Sequence, residues 1–235
     1  MTRFSRILLK LSGEILRDGE DCFAQDRMRS IARALHAVVE LGTSVGVVVG
    51  GGNLVRGRDH ARQGFRADVD HVGMLATVLN VGMLRFALEG DRLSCRVFAP
   101  RAVPPVAEAF DRAAAMRAMD EGQVVLLGGG TGNPYFSTDS AAALRALELG
   151  CDALLKGTMV DGVYDKDPLR HDDAVRFDHL SYDEVLRRDL RVMDQTAIAL
   201  CRDHGMPVVV FDITRPENLV SVIEGSLSGT VISAS

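Results

Sequence analysis

Strands alternating with helices along the chain predict an α/β protein built on a largely parallel sheet with helices on both faces. Two observations carry this. Apolar runs of strand length recur between stretches with helical periodicity. Three of those runs pass straight into a glycine turn: Ile7-Leu8-Leu9-Lys10-Leu11-Ser12-Gly13, residues 45–49 before Gly50-Gly51-Gly52-Asn53, and residues 124–127 before Gly128-Gly129-Gly130-Thr131-Gly132-Asn133.

In chain order, residues 6–11 read as the first strand and residues 27–41 as an amphipathic helix. Met28, Ile31, Ala32, Leu35, Val38 and Val39 lie on one side of that helix, Asp26 is its N-cap and Gly42 its stop. Residues 45–49 are almost wholly apolar, as a strand covered on both faces should be. Residues 70–88 place Met74, Leu75, Val78, Leu79, Met83 and Phe86 at helical spacing, a stripe that reads as core or subunit contact. Residues 96–99, 124–127, 153–156 and 208–211 supply four more strands, separated by helical patterns at 106–119 and 139–149 and within 181–204. Val160-Asp161-Gly162-Val163 reads as a tight hairpin turn, which makes the sheet mixed.

At 235 residues and 47% hydrophobic content the chain can bury a full core, and no Pro- or Ser-rich linker divides it. A net charge of −5 without long basic runs speaks against nucleic-acid and membrane-surface partners, so an acidic protein that binds polyphosphate must supply positive charge locally or borrow it from a metal ion. Cysteines 22, 95, 151 and 201 show no metal-ligand spacing and read as reduced thiols of a cytosolic protein. The apolar run at 7–9 is too short for a signal peptide, and no stretch is expected to span a membrane.

Glycines at strand ends let backbone N–H groups approach an anion, and a helix starting just beyond adds its positive end. Three such turns point to more than one phosphate. The lysines sharpen this: of 27 basic residues only Lys10, Lys156 and Lys166 are lysine. Lys10 lies inside an apolar strand and Lys156 closes another; each either meets a phosphate or points outward from an edge strand. No lysine follows a glycine, so the Walker pattern is absent. The Rossmann pattern also fails, with Val55 and Tyr135 where its third glycine belongs.

Lys10-Leu11-Ser12-Gly13-Glu14, the 50–57 segment Gly-Gly-Gly-Asn-Leu-Val-Arg-Gly, Asp70-His71-Val72-Gly73-Met74, the 130–140 segment Gly-Thr-Gly-Asn-Pro-Tyr-Phe-Ser-Thr-Asp-Ser and the 160–168 segment Val-Asp-Gly-Val-Tyr-Asp-Lys-Asp-Pro resemble, in order and over essentially the whole chain, the bacterial UMP kinases (uridylate kinases) of the amino acid kinase family. The resemblance implies one α/β/α sandwich domain over residues 1–235, ATP with Mg²⁺ as donor, UMP as acceptor, UTP as inhibitor and a cytoplasmic homohexamer.

It also assigns roles. Lys10 would reach the transferred phosphoryl group, and Leu11, Ser12 and Gly13 would line the ATP phosphates. Gly51 and Gly52 would sit between donor and acceptor phosphates, with Arg56 forked onto one of them. Lys156 would be a second positive charge, and Thr158, Tyr164 and Asp167 would hold the adenosine. On the acceptor side, Asp70 would take hydrogen bonds from the UMP ribose, or else cap the helix after it. Thr131, Gly132, Asn133, Pro134, Tyr135, Phe136, Ser137 and Thr138 would wrap base and phosphate. Asp139 would hold the lysines in position or cap its own helix, readings compatible with one another. His71 reads as structural, because a UMP phosphate is already ionised at pH 7 and no proton need be removed.

One departure stands out. Where these kinases carry a glycine-rich segment linked to GTP activation, this chain has Glu20-Asp21-Cys22-Phe23-Ala24-Gln25-Asp26, so GTP is expected to activate weakly or not at all. Two other readings are weighed against the kinase: the same fold acting on a carboxylate or carbamate acceptor, against which Asp70 and residues 131–138 speak, and a non-catalytic nucleotide-binding or oxyanion-storage protein, against which Lys10, Arg56 and Asp139 speak.

Overall fold

A computed structural model describes residues 2–55, 65–190, 192–226 and 229–234. Arg56, expected at a phosphate, and Gly57 lie outside the described residues.

The strands are β1 (Arg6–Leu11), β2 (Ser44–Val49), β3 (Cys95–Ala99), β4 (Glu108–Ala109), β5 (Val124–Leu127), β6 (Ala153–Thr158), β7 (Val163–Tyr164), β8 (Arg176–Phe177), β9 (His179–Ser181), β10 (Val208–Asp212) and β11 (Thr230–Ser233). The helices are α1 (Gln25–Glu40), α2 (Arg66–Gly90), α3 (Arg112–Asp120), α4 (Thr138–Glu148), α5 (Tyr182–Arg187), α6 (Gln195–Asp203) and α7 (Asn218–Glu224). Nine strands form one sheet in the order β4-β3-β5-β2-β1-β6-β10-β11-β9. Every pairing in it is parallel except β10 with β11.

Alternation along each strand feeds two cores. From β1, Ile7, Leu9 and Leu11 point into a core completed by α1, α2 and α7, while Leu8 joins the core under α3 to α6. A fully buried leucine contributes roughly 1.5–3 kcal/mol, so the central strands anchor both layers. Lys10 belongs by alternation to the second face, the side from which α4 approaches.

Several expectations need correction. The mixed sheet comes from β11, not from residues 160–163: residues 160–162 form a bend and Val163 opens β7, which pairs with β8 in a separate two-stranded ladder. Residues 106–119 are not one helix. Val103 and Ala107 form a bridge, β4 follows, and the helix begins only after Asp111, whose carboxylate accepts from Ala114 N–H at 2.6 Å. Asp26 is not the cap of α1; Ala24 holds that position and Asp26 sits in the first turn, where its charge still favours the positive helix end. Gly42 does stop α1, with φ +86° and its N–H on the Val39 carbonyl. The stretch 181–204 is two helices, the first opened by a capping box between Ser181 and Glu184.

Helix α2 starts four residues before Asp70 and, contrary to expectation, is long and apolar enough to cross a membrane by length and composition. It packs instead on the sheet, burying Ala76, Val78, Val81, Leu84 and Leu88, and leaves Val72, Leu75, Leu79 and Phe86 exposed on its outer side. The apolar stripe read from the sequence is thus divided between core and surface.

Candidate active site

The carboxyl ends of β5, β2, β1 and β6, neighbours at the middle of the sheet, bring the three glycine turns and both strand lysines to one edge. Lys10 and Lys156 stand opposite each other in the β1–β6 register. Neither points outward from an edge strand; Lys10 is 8% exposed. Adjacent strands lie about 4.8 Å apart, and like charges side by side at that spacing repel.

Asp139 resolves the repulsion. Ser137 is the N-cap of α4, accepting from the N–H groups of Asp139 (2.9 Å) and Ser140 (3.3 Å), so Asp139 is freed from the capping role. Its carboxylate reaches both lysines, Oδ1 at 2.8 Å from Lys10 Nζ and Oδ2 at 2.9 Å from Lys156 Nζ. Burial by itself would raise the Asp139 carboxyl, yet the two ammonium groups hold it below the usual carboxylate range. Burial lowers the Lys156 ammonium from its ordinary value, opposed by Asp139 and reinforced by Lys10. The trio sets one carboxylate between two lysines in a site shielded from water.

The turns around this trio are packed to backbone distance. A Cβ at Gly13 would lie 2.5 Å from the Gly50 carbonyl oxygen and 2.9 Å from Gly52 N, so the first two turns touch only because Gly13 has no side chain. Ser12 Oγ accepts from Glu14 N–H at 3.4 Å, starting a 3₁₀ turn at Gly13–Leu16. Leu11 is wholly buried and its carbonyl accepts from Gly50 N–H at 2.8 Å, so it supports the site from the core side.

On the other flank, Asp70 lies in the second turn of α2 rather than at its cap, which is Phe65. Its Oδ2 accepts from Tyr135 N–H at 2.8 Å, joining it to the loop 131–138. Tyr135 has φ +72°, and Arg66 lies over its ring. Thr131 Oγ1 closes a local turn with Asn133, while Tyr135 and Phe136 stand exposed. Ser137 is fully engaged by its cap and by Asp194. His71 hydrogen-bonds the Ala67 carbonyl of its own helix at 2.7 Å, as a structural histidine would.

Beyond Lys156 a cavity of about 710 Å³ is lined by Thr158, Tyr164, Asp167 and Val210 among others, within the size range of small-molecule sites. Its wall is held by local bonds: Thr158 Oγ1 donates to the Val160 carbonyl at 2.6 Å, Tyr164 Oη to Asp161 at 2.6 Å, and Asp167 accepts from Leu169 N–H at 3.0 Å. Lys156 and Asp139 also line a neighbouring cavity of about 610 Å³.

Four contributing residues were not singled out from the sequence. Asp194 accepts from Ser137 and Ser140 hydroxyls while capping α6, tying that helix to the start of α4. The Val192 carbonyl accepts from Lys156 Nζ. Thr77 and Asn80 of α2 reach the glycine turns. An aspartate before an apolar helix was a readable cap signal for Asp194; the contacts from α2 are long-range and had none.

Comparison with known proteins shows the family. The model of the amino acid kinase family matches residues 5–212. The chain is 49% identical to the uridylate kinase of Paramagnetospirillum magneticum, over 98% of this chain and 97% of that one, and 48% identical to the uridylate kinase of Marinobacter nauticus, over 98% and 96%. Among solved structures, the UMP kinase from Bacillus anthracis superposes with a TM-score of 0.93 at 36% identity, covering 98% of this chain and 96% of the other. The UMP kinase from Ureaplasma parvum gives 0.92 at 32%, covering 98% and 99%. The chain therefore belongs to the amino acid kinase family, among its uridylate kinases.

Proposed function

We propose that this chain transfers the γ-phosphoryl group of ATP to UMP, giving UDP and ADP, with residues 1–235 acting as one catalytic domain. The observation that carries the reading is the Lys10–Asp139–Lys156 trio at the focus of three glycine turns, between a nucleotide-sized cavity and the Asp70 loop. Phosphoryl transfer asks a protein mainly to align two anions and cancel their repulsion. The adenosine would occupy the cavity at Thr158, Tyr164 and Asp167, running its phosphates past Lys156 toward Ser12, Gly13 and Lys10. UMP would lie on the other side, its ribose on Asp70 and its base and phosphate within residues 131–138. Gly51 and Gly52 would offer N–H groups where the two phosphates meet, and Arg56 would add a bidentate charge.

A unit-charge pair about 4 Å apart is worth about 4 kcal/mol at an effective dielectric near 20, so each lysine can account for several powers of ten in rate. Asp139 sets the spacing of the ammonium groups and takes no proton. Mg²⁺ would enter on the triphosphate, where it would neutralise phosphate charge. UTP would inhibit by occupying the UMP site. The outward apolar side of α2 would form subunit contacts in a hexamer, and the enzyme would act in pyrimidine nucleotide synthesis in the cytoplasm.

A coupled assay of ADP release with ATP and Mg²⁺ against UMP, CMP, dUMP and acetylglutamate tests the reading. UMP should be far the best acceptor, because a site built to hydrogen-bond one base edge rejects an analogue that leaves its groups unpaired. Equal rates with CMP, or a preference for acetylglutamate, would overturn it.

A further inference from the structure

Two of the three glycine turns rest on one stretch of α2. A Cβ at Gly51 would lie 3.0 Å from the Gly73 carbonyl, 3.2 Å from Ala76 Cβ and 3.5 Å from Thr77 Cγ2; one at Gly128 would lie 2.9 Å from Val78 Cα. Within this seam the helix buries two polar side chains one turn apart, Thr77 (3% exposed) and Asn80 (0%). Asn80 Nδ2 donates to the Gly50 carbonyl at 2.6 Å, and its amide pairs reciprocally with Asn53 at 2.7 and 3.0 Å, clamping the turn after β2. Thr77 serves the turn after β5. Its hydroxyl accepts from Gly129 N–H at 2.7 Å and donates to the Met74 carbonyl at 2.7 Å, while its methyl packs toward Gly51.

A threonine buried in an apolar helix could satisfy its hydroxyl on its own helix, and Thr77 does so through Met74. The second bond, from Gly129 N–H, is what ties the helix to the turn. Gly129 has φ +77°, and its N–H is buried, so without Thr77 it would have no acceptor there. The two branches of one side chain thus meet both turns, the hydroxyl on the one that leads into residues 131–138 and the methyl on the one between donor and acceptor phosphates.

We infer that Thr77 is a positioning residue for phosphoryl transfer: its hydroxyl fixes the acceptor-carrying turn against the Gly51 turn, with Asn80 holding the latter from its other side. The inference rests on the UMP kinase reading for the identity of the acceptor. Thr77 is 3% exposed, and its hydroxyl acts on the acceptor side through Gly129 N–H. A misplacement of about 1 Å costs transfer on the order of a hundredfold, so loss of this one bond should be read in rate.

The test compares Thr77→Val, which keeps the methyl and removes the acceptor, with Thr77→Ser, which does the reverse. Kinetics with UMP, ATP binding measured by titration without UMP, and melting temperature are read for each. Thr77→Val is expected to lose about tenfold to a hundredfold in kcat/KM for UMP with ATP affinity within about twofold of the parent, and Thr77→Ser to stay within about threefold on both. Val kinetics equal to the parent, Ser falling as far as Val, or ATP affinity dropping alongside would each overturn the inference. Should Thr77→Val not fold, Thr77→Ala takes its place, and Ala kinetics equal to those of Ser overturn it. The parent enzyme's acceptor panel tests the UMP reading separately; if another acceptor is preferred, the same ratios are measured with that acceptor.

Discussion

Asp139→Asn is the most informative single perturbation, because the carboxylate bridges two cations in a buried site. The two ion pairs at 2.8 and 2.9 Å are each worth about 6 kcal/mol of gross Coulomb energy at an effective dielectric near 20. Desolvation of the three groups offsets much of that, so the net cost is better taken from buried pairs stripped of one partner, about 3–5 kcal/mol. For a chain of this length that corresponds to a fall in melting temperature of about 6–20 °C at pH 7. The pH dependence has a definite sign. Asp139 titrates below its ordinary value of 3.8, so its contribution is fully present above that pH and is lost only as pH falls through the lower folded value. On the acid side, the gap between parent and variant should therefore narrow only as pH falls below 3.8. ATP supplies the missing negative charge to Lys10 and Lys156, so it should raise the variant's melting temperature more than the parent's. Scanning calorimetry or dye-monitored melting with and without ATP measures all of this. A variant that melts with the parent at pH 7, or that gains no more than the parent from ATP, would show that Asp139 does not hold the lysines together.

Lys10→Ala should lower kcat by at least about two powers of ten with a smaller change in the KM for UMP, since its charge acts mainly on the transition state; near-normal turnover would make Lys10 a bystander. Asp70→Asn should weaken UMP binding more than ATP binding in equilibrium titrations, and equal losses would remove Asp70 from the acceptor side. GTP should activate weakly or not at all in initial rates at subsaturating ATP, because Glu20 and Asp21 add negative charge where the family carries glycines. A several-fold rise would show that the effector response survives the substitution of that segment.

The strands and the lysines were legible because both break a local pattern: a charge inside an apolar run is costly enough to demand a reason. Helix starts were less legible. Asp26, Asp70 and Asp139 each read as a cap, whereas the caps are Ala24, Phe65 and Ser137. An aspartate is favoured both at the cap and within the first turn, where it meets the helix dipole, so composition alone does not place the boundary. Residues 66–69 carry no clear apolar period, which hid the first turn of α2. The helix expected at 106–119 was lost at its start to Pro104-Pro105 and to β4, whose pairing with β3 is a long-range event. Thr77 and Asn80 were invisible for a related reason. Inside an apolar helix their hydroxyl and amide look like minor interruptions, and only the sheet arriving from residues 50 and 129 gives them partners.

The charge arrangement explains how an acidic protein can hold two polyanions. Only three lysines occur in the chain, and two are placed across one pair of strands, where backbone register sets their separation more firmly than any surface could. Two ammonium groups so close would repel, and burial lowers the Lys156 ammonium from its ordinary value. One carboxylate delivered by α4 pairs with both and opposes the effect of burial on Lys156. On the proposed reading, an arriving phosphate would compete with Asp139 for donors already oriented and stripped of most of their water, so little reorganisation would remain for the transfer step. The same logic requires the carboxylate to come from a firmly anchored helix end. Ser137, Ser140 and Asp194 supply that anchor by joining the starts of α4 and α6, so that Asp139 holds its place when a phosphate draws the lysines toward itself.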